Sequence, residues 1–127
     1  MINTSSKENL FKQKVTNGCE LFDEYILLFN SFRREFRLQP LVVDAELQSI
    51  SVKRAIEISR PDNFSHEGIR QYNLGENICR LAYESDSNER LLSVWVGSQG
   101  HLENIVNPNY TRTGFARYGK YAVQVFK

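Results

Sequence analysis

Val94-Trp95-Val96-Gly97-Ser98-Gln99-Gly100-His101-Leu102-Glu103-Asn104-Ile105-Val106-Asn107-Pro108-Asn109-Tyr110-Thr111-Arg112-Thr113-Gly114 changes pattern three times within one short span. It begins inside a helix. Leu91, Leu92, Trp95 and Val96 share one apolar face, and Ser85-Asp86-Ser87-Asn88 upstream offers several N-caps. Gly100 is predicted to interrupt that helix, and His101 to Val106 to add one further turn. Asn107-Pro108-Asn109 then stops helical geometry. Beyond it apolar residues recur with period two, from Phe115 to Tyr118 and from Tyr121 to Phe126, around a turn at Gly119-Lys120. That is the pattern of an antiparallel hairpin.

Working back towards the N-terminus, two more helices precede this span. Leu21, Tyr25, Leu28, Phe29, Phe32 and Phe36 recur at steps of three and four, with Asp23, Glu24, Arg33, Arg34 and Glu35 off that stripe. Pro40 is expected to end this helix. Asp44 reads as the N-cap of the next, whose inward face is Leu47, Ile50, Ser51, Ala55 and Ile58. Pro61-Asp62-Asn63 closes it, a polar stretch from Phe64 to Asn73 follows, and Leu74 to Leu81 reads as a short strand. Helices first and a hairpin last predict an α+β fold, with a small antiparallel sheet covered by helices. Residues 1–18 are polar and aperiodic and read as a flexible arm, leaving 19–127 as a single domain.

Composition bounds the function. The 127 residues suit one domain, which at this size buries roughly two-thirds of its unfolded surface and needs no staples. Lys plus Arg number 16 against 15 Asp plus Glu, for a net charge of +1. Nucleic-acid binding is therefore excluded as an expectation, because phosphate backbones demand a strong basic field. No apolar run approaches the ~18 residues a membrane helix needs, so no transmembrane segment is expected. Met1 to Leu10 carries no apolar signal core. Val15-Thr16-Asn17-Gly18-Cys19 has a faint likeness to a lipoprotein cleavage site, set after a polar run that does not suit one. Cys19 and Cys79 have no CxxC spacing and read as small hydrophobes or one optional disulfide.

The chain has two histidines, and each stands by a glycine and a carboxylate. His66 lies in Phe64-Ser65-His66-Glu67-Gly68, and His101 in Ser98-Gln99-Gly100-His101-Leu102-Glu103-Asn104; Gly75-Glu76-Asn77 stands between them. Two imidazoles and a carboxylate suit a divalent ion with an open position, or an acid–base set. They equally suit two surface histidines bonded to loops. HExxH, GxSxG, P-loop and dinucleotide motifs are all missing from the sequence.

At these residues the chain resembles a known family. Phe64-Ser65-His66, Gly75-Glu76-Asn77-Ile78, Val94-Trp95 with Ser98-Gln99-Gly100-His101, and Asn104 to Thr111 with Gly114 follow the order and spacing of the CAP superfamily. That superfamily takes in the cysteine-rich secretory, antigen 5 and pathogenesis-related class 1 proteins, and the likeness is to its short bacterial SCP-like branch. Phe29-Asn30 with Arg33, Leu38 to Leu41 with Asp44 and Leu47, and the closing Tyr121 to Phe126 extend the resemblance from about Leu21 to Phe126.

The resemblance implies an α–β–α sandwich with a cleft lined by histidines and acids. His66, Glu76 and His101 match three members of the family's tetrad, and Ser98 stands where the fourth, a glutamate, is usual. Glu103 is the one nearby carboxylate that could replace it, without a motif match. These three residues are the candidate catalytic or zinc-binding set; Ser98, Glu103, Asn77 and Trp95 complete the expected cleft. Asn77 is expected to fix a loop, Trp95 to fill core or cleft wall, Gly75, Gly100 and Gly114 to serve backbone geometry, and Tyr72 and Tyr110 to edge the cleft. Each imidazole is expected beside a carboxylate that raises its pKa. Bacterial members of the branch generally lack disulfides, so Cys19 and Cys79 are expected unbonded.

The family shares a fold rather than a reaction. The leading expectation is an extracellular or surface-anchored domain, its export signal upstream of Met1, that binds a ligand or surface partner without catalysis. A zinc-assisted hydrolase using His66, His101 and Glu76 is the second, and lipid or sterol binding the third. The sequence names neither the ligand nor the oligomeric state.

Overall fold

The computed structural model describes residues 22–127. The expected arm, Cys19 and Leu21 lie outside the described residues. In chain order come helix α1, described over 22–35, strand β1 (Val42–Val43), helix α2 (Ala45–Ile58), a 3₁₀ helix (Glu67–Tyr72) and strand β2 (Gly75–Arg80). Helices α3 (Asn88–Val96) and α4 (Gln99–Ile105) follow, then strands β3 (Arg112–Tyr118) and β4 (Tyr121–Phe126).

The four strands lie in the order β1-β3-β4-β2. β4 pairs antiparallel with both β2 and β3, while β1 adds two residues parallel to β3. The sheet is thus mixed, through a strand too short to leave a periodic signal between Pro40 and Asp44. Gly119, at φ 59°, turns the β3–β4 hairpin.

Helices cover both faces of the sheet. On one face Tyr25, Phe29, Leu91, Trp95 and Ile105 pack with Phe115 and Phe126; on the other, Leu47, Ile50, Ala55 and Ile58 of α2 pack with Ile78, Ala116, Val123 and Val125. Strand residues alternate between the two cores, so β4 is buried on both sides from Ala122 to Phe126. A Cβ on Gly114 would overlap the backbone of Leu47 and come 2.6 Å from the Gln48 nitrogen, which makes this glycine the contact point between β3 and α2.

Local signals fared unevenly. Asp44 caps α2 as expected, accepting from the Glu46 and Leu47 amides at 2.9 and 3.1 Å. Ser87 caps α3, accepting from the Arg90 amide at 3.0 Å. Helix α1, however, stops at residue 35, before Pro40, and the chain turns at Arg37 with φ 59°. Phe36 is consequently exposed rather than part of the stripe. Arg33, expected on the outer face, is buried: it donates to the carbonyls of Gln39, Ile105 and Asn107 at 2.8, 2.9 and 3.1 Å. The last carbonyl of α4, that of Ile105, lacks a helical partner, and a cation answers it.

The break between α3 and α4 also falls elsewhere than expected. Gly97 ends α3, and Ser98, extended at φ −123° and ψ 122°, redirects the chain. Gly100 lies inside α4 with open space where a Cβ would be. Its backbone needs no glycine.

Candidate functional site

The site is built on β2, the edge strand opposite β1. Glu76 and Asn77 are neighbours in this strand, so their side chains leave opposite faces of the sheet. Glu76 faces α2 and Asn77 faces α4, and each organises one histidine.

On the α2 side the organiser is Arg54, one turn from Ser51 on the helix's inward face and itself buried. Its Nε donates to Glu76 Oε2 at 2.6 Å and its Nη2 to Glu76 Oε1 at 2.9 Å. Nη2 also donates to the Ser65 carbonyl at 2.7 Å, and Nη1 bonds Glu57. The arginine thus ties the loop before the 3₁₀ helix to both carboxylates. His66, the next residue after Ser65, places Nδ1 2.8 Å from Glu76 Oε1 while its side chain stays 54% exposed. Gly68 packs directly on the Arg54–Glu57 pair, where a Cβ would overlap both.

On the α4 side Asn77 is fully buried and donates to the His101 carbonyl at 3.1 Å. Asn104 donates to Asn77 Oδ1 at 2.9 Å and to the Glu76 carbonyl at 3.3 Å. These bonds fasten α4 to β2. The His101 ring stands 6.4 Å from that of Trp95, and its Nδ1 is buried without a hydrogen-bond partner among the described residues.

The electrostatics of His101 reverse the expectation. Its pKa is lowered from 6.5, first by burial and second by the charge of His66. No carboxylate meets its ring among the described residues, so nothing repays the imidazolium for lost water. His66 alone has the carboxylate partner expected for both.

The other expected residues divide. Trp95 is wholly buried, donates Nε1 to the Ile78 carbonyl at 3.0 Å, and is core. Ser98 is half-buried at the start of α4 and makes no side-chain cap bond. Glu103 is exposed and accepts from Gln99 at 3.2 Å; two residues after His101 on a helix, it leaves on a different side. Tyr110 stacks on Phe126 at 5.3 Å with its hydroxyl over Gly75, and Tyr72 packs against the α2-side core. Cys79 is a buried free thiol, its pKa raised by burial. A shallow concavity of about 520 Å³ opens at the other edge of the sheet, lined by Val42, Val43, Ala45 and the Asp44–Arg112 ion pair. Thr111 completes its lining, which includes no histidine among the described residues.

Among the described residues no three His, Cys, Asp or Glu side chains are grouped to hold a metal ion. At this site Arg54 occupies both oxygens of Glu76 with a positive charge. Two imidazoles remain as donors. Arg54 is the residue of this cluster that the sequence reading left out. The cue was an arginine in helical phase with Ser51, Ala55 and Ile58, a position that must be buried.

Residues 26–126 match the family model of the cysteine-rich secretory protein family, CAP. The chain belongs to that family. It is 25% identical over 125 residues to the uncharacterized protein YkwD of Bacillus subtilis, an alignment covering 87% of this chain and 48% of YkwD. The fold is shared with a cysteine-rich secretory protein of Staphylococcus aureus, at TM-score 0.75 and 18% identity, over 86% of this chain and 38% of that one. It is shared also with an extracellular SCP-domain protein of Bacillus anthracis, at TM-score 0.74 and 22% identity, over 86% and 40%. An outer surface protein of Borrelia burgdorferi aligns at TM-score 0.68 and 18% identity, over 80% of this chain and 86% of its own. The chain spans about half the length of YkwD and less of the first two structures.

Proposed function

We propose that this CAP domain works outside the cell, as a secreted or surface-anchored module, and acts by binding through the cleft at the β2 edge. Extracellular and outer-surface descriptions of the Bacillus anthracis and Borrelia proteins support the location. The observation that carries the binding reading is the engagement of Glu76. Arg54 and His66 take up its two oxygens, so it is no free base for activating water. Nor does His66 bond a nucleophile among the described residues. The adjacent Ser65 hydroxyl accepts from the Glu67 amide at 3.3 Å instead.

One feature favours a second reading, the zinc-assisted hydrolase. A carboxylate on the inner nitrogen of an imidazole is the arrangement that orients metal-ligating histidines. In that reading His66 and His101 hold the ion, which when bound supplies an activated water.

Two measurements separate the readings. Peptide and ester panels run with zinc and with chelator should show no turnover above buffer. Turnover abolished by His66→Ala would establish the hydrolase instead. Peptides, fatty acids and sterol analogues screened by NMR should shift His66, Asn77 and His101 together. Shifts confined to the Val42–Ala45 concavity would overturn the cleft as the binding site.

A further inference from the structure

We propose that Arg54 is the positioning residue of the cleft: through Glu76 and the Ser65 carbonyl it holds His66 as the Nδ1–H tautomer, so that the cleft presents Nε2 as a hydrogen-bond acceptor. The inference deepens the binding reading and depends on it only for the ligand's chemistry.

The argument follows the donors. A guanidinium has donors alone and cannot give up its charge inside a protein. With Nε and Nη2 both directed at Glu76, that side chain must be an ionised carboxylate, which only accepts. The 2.8 Å contact from His66 Nδ1 to Glu76 Oε1 therefore has its proton on the histidine. A neutral imidazole in water prefers its proton on Nε2; here the preference is inverted. Nε2 is left with a lone pair and bonds no described residue. A ligand meeting His66 must bring an N–H or O–H group.

Arg54 fixes position as well as tautomer. Its bond to the Ser65 carbonyl anchors the backbone one residue before His66, while Glu76 anchors the ring. One buried guanidinium thus sets both ends of the histidine. Gly68 belongs to the same device, because any side chain there would displace the Arg54–Glu57 pair.

The test is a long-range proton–nitrogen spectrum of the imidazoles in the full chain, with chelator present, at a pH where they are neutral. A His101→Gln background leaves His66 as the one histidine. The expected result is a single Nδ1–H tautomer, and Arg54→Met should drop that form towards the minority it has in water. Glu76→Gln keeps the shape and tests the same logic should Arg54→Met not fold. Arg54 Nη2 retains the Ser65 carbonyl, so the amide NH₂ settles at the Oε1 position and faces His66, which must then accept. The tautomer should reverse to Nε2–H. A mixture of tautomers in the unaltered site, or an unchanged Nδ1–H form in a folded Arg54→Met or Glu76→Gln protein, overturns the proposal. No ligand enters these spectra, so a failed ligand screen and a failed tautomer test are distinct results.

Discussion

Arg54 and Glu76 form a two-pronged ion pair, at 2.6 and 2.9 Å, between the inner face of a helix and the edge strand of the sheet, with both side chains almost wholly removed from water. Such a pair is costly to break on one side only. Removing a partner strands an ion in the interior, whereas removing both spares that penalty.

Arg54→Met should therefore lose about 3–5 kcal/mol, the range for a buried pair deprived of one partner. Arg54→Met combined with Glu76→Leu should lose clearly less than the sum of the single changes. Urea unfolding of the four proteins gives the coupling directly. Additive losses would show that the pair is no energetic unit.

Two glycines quoted for the same family likeness should behave in opposite ways. Gly114→Ala sets a methyl group against the backbone of Leu47 and Gln48, and neither helix nor strand can yield without moving the other. A loss of several kcal/mol, at or above the ~1–3 kcal/mol typical of overpacking, is expected. Gly100→Ala meets nothing within 4 Å and lies in a helix, so it should be neutral or gain up to about 1 kcal/mol. Melting temperatures of the two variants check both signs.

This contrast shows how far the sequence was legible. Periodicity located α1, α2, α3 and the hairpin strands β3 and β4, because burial of one stripe or two faces dictates residue type. It failed where geometry is set by distant partners. Arg33 is buried where it donates to the carbonyls of Ile105 and Asn107, more than 70 residues along the chain. The α3–α4 break sits at Gly97–Ser98, where Ser98 is extended, and Gly100 is an ordinary helical position. At the site, His66 and Glu76 were readable from motif likeness, and their contact is real. Arg54 carries no motif, and Glu103 points away because residues two apart on a helix do not share a face.

A second polar cluster lies within the core. Tyr25 donates to Gln124 Oε1 at 2.5 Å, Gln124 Nε2 to Thr113 Oγ1 at 3.1 Å, and Thr113 to the Val125 carbonyl at 2.8 Å, all fully buried. Gln124→Leu leaves the phenol without its acceptor and should cost about 1–3 kcal/mol; adding Tyr25→Phe should recover part of that loss. Burial raises the Tyr25 pKa well above 10.0. The unfolded chain therefore ionises this tyrosine first, and native stability should fall as pH rises beyond about 10. Absorbance titration should show Tyr25 ionising only with alkaline unfolding.

His101 sets the dependence on the acid side. Its folded-state pKa lies below the 6.5 of an exposed histidine, because burial and the His66 charge both oppose the imidazolium. As pH falls below about 6.5 the unfolded chain takes up a proton before the native one does. The stability due to neutral His101 is thus present above that pH and is lost as pH drops through the folded pKa. His101→Gln should flatten this part of the stability–pH curve. In His66→Ala the remaining imidazole should titrate at a higher pH than His101 does in the unaltered chain, since one opposing charge is gone. Proton NMR titration with chelator present reads both positions. A His101 titrating above 6.5 in the unaltered chain would mean that an unseen carboxylate reaches its ring and that the α4 side of the cleft is built differently.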